Sequence, residues 1–404
     1  MVKMRFPRTG FALVLALQVL SGSALAHEHP ANTPMARHWQ ERLTAVKGTA
    51  VSVTADEQGR LWSVSMRQGH LWLARSDDQG KSFAELGKIN QQPEAILADG
   101  QSRPLIAAHG QVVVVSWAQA LPKLHTGHVR LARSEDGGKS FAEPVVVNQN
   151  REEIGHGFNA MKMDRQGNLV LAWLDGRERS AAVRKGAKYA GSSVYYTLSR
   201  DYGRTFSADA KLADHSCECC RIGLALTPEG EAVALWRHVF GDNVRDFALA
   251  TLQRGASVVR ASEDNWQVSA CPHHGGDLAV DAGGRRHLVW FTGSQKAPGL
   301  FYRHADGTQF SKAMAFGNLD AQAGHPTVFA QGTTVFLAWR EYEAGRYRVM
   351  SMHSRDRGEH WSAVSEVASA EGAADLPLFV SGANAPLLAW GQGEGLKIIN
   401  LEAH

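Results

Sequence analysis

The stretch GQVVVVSW at residues 110–117 decides the fold, because the same design returns along the chain. In most copies a glycine leads into an apolar run that ends in tryptophan. The other copies are GNLVLAW at 167–173, GEAVALW at 230–236, GRRHLVW at 284–290, GTTVFLAW at 332–339, APLLAW at 385–390 and a divergent GRLWSVSM at 59–66. The runs end roughly every 50 residues, so the chain is predicted to contain seven repeats of one β unit.

The composition supports an all-β chain. Its 404 residues include 40 glycines, 13 prolines and 11 tryptophans, without long segments of helical periodicity, which is typical of many short strands joined by tight turns. No Ser/Pro-rich linker divides the chain. We therefore predict a single β-propeller over residues 49–404, built from four-stranded antiparallel blades, with seven blades favoured and six as the alternative.

A second motif recurs after the apolar run in four units. Its copies are SDDQGKSF from Ser76, SEDGGKSF from Ser134, SRDYGRTF from Ser199 and SRDRGEHW from Ser354. The pattern S-x-D-x-G-x-[ST]-[FW] resembles the Asp-box (BNR) repeat of sialidase-like β-propellers, and His360 departs from it in the last copy. The resemblance implies a propeller with these turns at its periphery. The sialidase catalytic domain has six blades, so the seven units depart from that family.

The first 26 residues are predicted to be a secretory signal peptide. Lys3, Arg5 and Arg8 precede an apolar stretch, and small residues follow up to Ala26. Cleavage there would make His27 the first mature residue and place the protein in the periplasm or outside the cell. The leader also supplies the excess of 43 Lys and Arg over 40 Asp and Glu, so the mature chain has no basic surplus to hold nucleic acid. No later segment predicts a membrane span.

Residues 27–48 are predicted to close the ring. The tail 374–404 carries three predicted strands, one short of a full blade. The segment from Trp39 to Val46 precedes the first repeat and could add the fourth strand.

Cysteine and histidine side chains concentrate in the loops that lead into the first strands of blades 4 and 5. We call such a segment an inner-strand loop. The candidates are Cys217, Cys219, Cys220 and His215 before blade 4, and Cys271, His273 and His274 before blade 5. Thiolate and imidazole groups from neighbouring loops could converge on Cu(I) or Zn(II). Disulfide bonds between the two loops are the alternative for an exported chain with four cysteines. The C-x-CC loop followed by a CP loop also resembles a subgroup of bacterial sialidase-like propellers.

Three further histidines are lesser metal candidates. His156 and His325 lie in the inner-strand loops of blades 3 and 6, and His27 would combine its imidazole with a free amine.

Arginines mark a second set of loops at the same rim. Arg67, Arg237 and Arg340 each follow the last residue of the apolar run, and three guanidinium groups could bind a carboxylate as the sialidase arginine triad does. A sialidase also needs a general acid and a nucleophile, for which Asp175 and Tyr342 are the rim candidates. The F/Y-R-I-P signature of sialidases is missing.

Three functions remain open from the sequence. The first is a metal-binding propeller that handles copper or zinc. The second is a non-catalytic scaffold that binds a protein or glycan across the rim, with loops stiffened by disulfides. The third is a glycoside hydrolase of sialidase type acting on a small anionic glycan.

Overall fold

The chain folds into a closed ring of seven antiparallel sheets, as the computed structural model of residues 50–382, 385–393 and 395–401 shows. The first strand of each sheet contacts the first strands of the sheets before and after it, and the last sheet contacts the first. This confirms the predicted all-β, seven-bladed β-propeller and removes the six-bladed alternative. The signal peptide and the closing strand at 39–46 lie outside the described residues. Within the described part of the chain, no helix has the length and apolar character needed to cross a bilayer.

The first three blades have four strands each. Blade 1 comprises β1 (Ser52–Ala55), β2 (Leu61–Arg67), β3 (His70–Ser76) and β4 (Ala84–Lys88). Blade 2 comprises β5 (Leu105–His109), β6 (Val112–Ala120), β7 (Gly127–Ser134) and β8 (Val145–Val146). Blade 3 comprises β9 (His156–Met163), β10 (Leu169–Asp175), β11 (Ser192–Ser199) and β12 (Ala210–Ser216), with a helix α1 (Arg177–Arg184) between β10 and β11.

The remaining blades vary around the same plan. Blade 4 comprises β13 (Gly223–Leu226), β14 (Ala232–Arg237), β15 (Phe247–Thr251) and β16 (Val259–Arg260). Blade 5 comprises β17 (Asp277–Val280), β18 (Arg286–Thr292), β19 (Gly299–Asp306), β20 (Gln309–Phe310) and β21 (Met314–Phe316). Blade 6 comprises β22 (Gly324–Gln331), β23 (Thr334–Glu343), β24 (Arg346–Ser354) and β25 (Ser365–Glu371). The described strands of blade 7 are β26 (Leu378–Val380), β27 (Leu387–Gln392) and β28 (Gly395–Asn400).

The apolar runs that define the repeat form the second strand of each blade. Neighbouring blades cover both faces of these strands. Their sequences are therefore continuously apolar, without alternation of apolar and polar residues. In β10 every residue from Leu169 to Asp175 is buried. Seven tryptophans, one in each second strand, are at most 1% exposed: Trp62, Trp117, Trp173, Trp236, Trp290, Trp339 and Trp390. The core therefore lies between the blades.

The four Ser-x-Asp-x-Gly segments share one hydrogen-bonded turn after the third strand of blades 1, 2, 3 and 6. In blade 2 the Ser134 hydroxyl donates to Asp136 Oδ1 at 2.8 Å and accepts from the Gly138 N–H at 2.9 Å. The Asp136 carboxylate in turn accepts from the N–H and hydroxyl of Ser140, at 3.0 and 2.6 Å. The turn thus satisfies its own polar groups without the rest of the sheet.

The glycine of this turn also packs against the preceding blade. Gly80 has a φ of +85°, and a Cβ there would lie 2.5 Å from Ile398 of blade 7. Gly358 has a φ of +89°, and its Cβ would lie 1.8 Å from the Tyr302 hydroxyl of blade 5. Two constraints therefore require glycine at these positions: the positive φ of the turn and the close approach of the neighbouring blade.

Candidate metal centre

The cysteine-bearing loop before blade 4 is held at the rim by backbone pairing to the second strand of that blade and its extension. The Cys217 N–H donates to the Arg237 carbonyl at 2.8 Å, and the Val239 N–H donates to the His215 carbonyl at 2.7 Å. Arg179 of α1 pairs with the Glu218 carboxylate. The peptide around Cys217 is thereby placed beside the loop that precedes blade 5.

Three sulphur atoms form a buried group in the first of these loops. Cys217 Sγ lies 3.9 Å from Cys219 Sγ and 3.6 Å from Cys220 Sγ, and the three residues are between 1% and 4% exposed. Sulphurs bound about 2.3 Å from a common ion lie roughly 3.8–4.0 Å apart, whereas a disulfide brings them to about 2 Å. None of the four cysteines forms a disulfide bond in this structure. The sulphur–sulphur distances are therefore close to those of a metal site and too long for a disulfide.

A second group of donors joins the two loops. Cys219 Sγ, Cys271 Sγ and a ring nitrogen of His273 all lie within 4.8 Å of one another. Cys271 and His273 are exposed, so this group faces solvent. Cys219 belongs to both groups and connects the buried sulphurs to the surface.

The charges around the sulphurs favour a thiolate at Cys217. Hydrogen bonds from Cys219 and Cys220 lower the pKa of the Cys217 thiol, and the Arg245 guanidinium, with Nη1 3.2 Å from Cys217 Sγ, lowers it further. Burial raises the pKa of Cys220, and hydrogen bonds to its neighbours raise the pKa of Cys219. A bound cation would have to displace the protons that these two thiols keep.

The backbone around the cluster is strained. Phe158, His215, His273 and His325 all have positive φ values, between 50° and 57°. Bulky residues adopt this conformation only where the surrounding structure holds them in it, and such positions concentrate at functional sites. Phe158 also packs directly against the three buried cysteines. The positive φ values of these four residues thus cost conformational energy, which contacts in the surrounding structure must offset.

His274 and His325 form a separate pair beside the cluster. Their rings stack with centroids 4.0 Å apart. His274 Nδ1 donates to the Pro272 carbonyl at 2.7 Å, and His325 Nδ1 accepts from the Gln101 amide at 3.2 Å. The Gln101 carbonyl accepts from the N–H of Gly275 at 2.7 Å. Burial lowers the pKa of His274 to about 4, so both rings are neutral at pH 7.

The other predicted histidine ligands lie apart from the two donor groups. His156 is 1% exposed and Nδ1 donates to the Gly127 carbonyl at 2.9 Å, while Nε2 lies 3.8 Å from Asp175 Oδ2. His215 packs its ring on Tyr189 at 4.5 Å. His27 is outside the described residues.

The three predicted carboxylate-binding arginines each have a different protein partner. Arg237 is 1% exposed and donates to the carbonyls of Arg245, His274 and Phe291 at 2.7–2.9 Å. Arg67 pairs with Glu85 at the surface. Arg340 donates to the Ala374 carbonyl at 3.2 Å. Arg237 and Arg340 therefore tie loops of adjacent blades together.

The predicted general acid, Asp175, and the predicted nucleophile, Tyr342, lie in different environments. Asp175 is fully buried and accepts from the Trp173 indole at 2.8 Å and from Arg177 Nη2 at 2.7 Å. Tyr342 is partly exposed on blade 6, where its ring lies 4.8 Å from that of Tyr347.

Two contributors to the cluster could not be found from sequence. Arg245 lies eight residues beyond Arg237 in an irregular segment, and Phe158 lies in β9 among ordinary strand residues. Neither carries a motif. Only the ring geometry brings them to the cysteines.

Comparison with known proteins supports the fold. No protein-family model matches this chain, and no curated protein matches it in sequence. Among solved structures, an ulvan lyase bound to a uronate–rhamnose sulfate disaccharide unit aligns with a TM-score of 0.53 at 11% identity, over 88% of this chain and 94% of the lyase. The polysaccharide lyase Uly1 aligns with a TM-score of 0.51 at 11% identity, over 89% and 91% of the two chains. A mutant of the α-L-arabinofuranosidase of Fusarium graminearum aligns with a TM-score of 0.50 at 12% identity, over 81% and 96%. At these identities the likeness shows a shared β-propeller fold and nothing further.

Proposed function

We propose that this chain is an exported, Asp-box-type β-propeller that binds a soft metal ion, Cu(I) in preference to Zn(II), through the cysteine and histidine cluster on its rim. The observation that carries the proposal is the pair of three-donor groups that share Cys219. Sulphur-rich donor sets select Cu(I), and each group offers three donors where structural zinc sites usually supply four. The first donor group is buried and the second is exposed at Cys271 and His273, as an ion-exchanging site needs.

Metal binding is better supported than glycoside hydrolysis. The predicted substrate arginines are already engaged by protein groups, and Arg237 is enclosed between backbone carbonyls and two rings. The Asp175 carboxylate is likewise neutralised by Arg177. A substrate carboxylate would have to displace these contacts.

The test is metal affinity measured on reduced protein. Wild type and the single variants Cys217→Ser, Cys220→Ser and Cys271→Ser are titrated with Cu(I) against a chromophoric chelator, and with Zn(II) in parallel. A structural metal site is worth about 10–16 kcal/mol, so losing one of three donors should cost at least roughly 3 kcal/mol, or about 100-fold in affinity. His215→Asn is the matched control, because His215 lies in the same loop but packs on Tyr189, and asparagine tolerates its φ of +57°.

The disulfide scaffold makes the opposite forecast. Protein isolated from its native compartment would then contain no free thiols after denaturation, and its mass would be lower by two protons per bridge. Metal uptake that is unchanged by all three cysteine substitutions would refute the proposed function. Sequencing of the mature N-terminus tests export, with His27 expected as the first residue.

A further inference from the structure

The two donor groups pose a question of stoichiometry. Donors bound to one ion can be no further apart than twice the metal–ligand bond, about 4.6 Å for a bond of about 2.3 Å. Among the described residues the donors fall into two groups, each with its donor atoms within 4.8 Å of one another. One is formed by Cys217, Cys219 and Cys220 and the other by Cys219, Cys271 and His273. A single ion in this arrangement cannot reach all five donors.

We infer that the cluster takes two soft metal ions bridged by the Cys219 thiolate, an inner ion held by Cys217 and Cys220 and an outer ion held by Cys271 and His273. This inference rests on the proposed function and adds its stoichiometry and the route of the ion. Each group by itself supplies three donors, which suits Cu(I).

Burial separates the roles of the two positions. The inner sulphurs are at most 4% exposed, whereas Cys271 and His273 lie at the surface. An ion arriving from solvent therefore meets the outer donors first. Because Cys219 is common to both groups, the ion can move inward by exchanging its other ligands one at a time while it stays bound to the same sulphur.

The charges balance better with two ions than with one. Three thiolates around one Cu(I) leave two negative charges in a buried pocket, where Arg245 is the cation in contact with the sulphurs. Four thiolates around two Cu(I) carry the same total, now spread over two centres and partly at the surface, so each centre carries one. Each S–H proton displaced by copper goes to the buffer, and no electrons are exchanged.

The test measures the number of copper ions bound per chain, in addition to the affinity. Reduced protein is loaded with excess Cu(I) in the presence of a competing chelator, desalted and analysed for copper per chain. Wild type should retain two equivalents. Cys271→Ser should lose the outer ion and retain one, Cys217→Ser should lose the inner ion and retain one, and Cys219→Ser should lose both. X-ray absorption of the loaded wild type should show copper–copper scattering that disappears in Cys271→Ser.

The variant His273→Asn removes an outer ligand without the risk that the chain misfolds. His273 is exposed and has a φ of +50°, a conformation that asparagine tolerates. This variant should keep the wild-type unfolding temperature and retain one equivalent of copper.

The outcomes separate this inference from the proposed function. One equivalent in wild type, lost or weakened alike by every cysteine substitution and without copper–copper scattering, overturns the two-ion site and leaves the proposed function standing. Absence of tight binding in wild type removes both.

Discussion

Replacement of Arg237 by alanine tests whether this rim arginine is a structural tie between blades. Arg237→Ala removes a guanidinium that is 1% exposed, that donates to three backbone carbonyls, and that lies over the rings of Phe247 and Trp266 at 4.4 and 4.8 Å. The carbonyls of His274 and Phe291 belong to blade 5, so the contacts cross from one blade to the next.

The magnitude follows from these contacts. Three charge-assisted hydrogen bonds at about 1.5 kcal/mol each contribute roughly 4.5 kcal/mol, and the two ring contacts add about 1–2 kcal/mol. Relief of the desolvated charge and entry of water into the vacated space offset part of this sum. We expect Arg237→Ala to lower the free energy of unfolding by about 3–5 kcal/mol, a large share of the ~5–15 kcal/mol typical of folded domains.

The assay is urea unfolding followed by tryptophan fluorescence, with Arg67→Ala as the control. Arg67 occupies the equivalent position in blade 1, but its side chain is 40% exposed and pairs with a half-exposed Glu85. A surface ion pair of this kind is worth about 0–1 kcal/mol. If the two variants differ by less than about 1 kcal/mol, the argument that Arg237 bridges the blades is wrong.

Two further predictions concern the turn glycines and acid stability. Gly358→Ala should cost at least about 2 kcal/mol more than Gly345→Ala in urea unfolding, because both glycines have positive φ but only the Gly358 Cβ would strike Tyr302; equal costs would contradict the interblade packing. The unfolding temperature should fall as pH drops from 6.5 towards 4. Burial lowers the pKa of His287 and His128 to about 4, so in this pH range the two histidines are protonated in the unfolded chain but stay neutral in the native state. His287→Gln should flatten this dependence in thermal scans, and a transition that stays constant or rises on acidification would count against it.

The fold could be predicted because the same sequence pattern recurs in every blade. Each second strand repeats an apolar run, usually with a leading glycine and a final tryptophan, and these signals are local to one unit. The same regularity predicted the hydrogen-bonded turns at Ser76, Ser134, Ser199 and Ser354. Even His360 keeps the pattern, since its Nδ1 lies 2.6 Å from the Asp356 carboxylate where a hydroxyl lies in the other copies.

The site was only partly predictable, because its contacts join residues that are distant in sequence. The proximity of Cys219 to Cys271 followed from the order of the blades, since adjacent loops meet at one rim. The partners of Arg237 did not, because backbone carbonyls leave no trace in a sequence pattern. Nor could spacing reveal that His274 stacks on His325 instead of joining the sulphurs.

The contact of the last blade with the first changes how the molecule should come apart. A linear array of repeats has one interface fewer than it has units, so its terminal units are the weakest and fray first. A ring has as many interfaces as units and therefore has no terminal unit. In this chain the seam is made by β26 against β1 and by Ile398 against Gly80. Breaking that seam would convert a ring into an open array with two exposed apolar faces, so unfolding should proceed in one cooperative step rather than blade by blade.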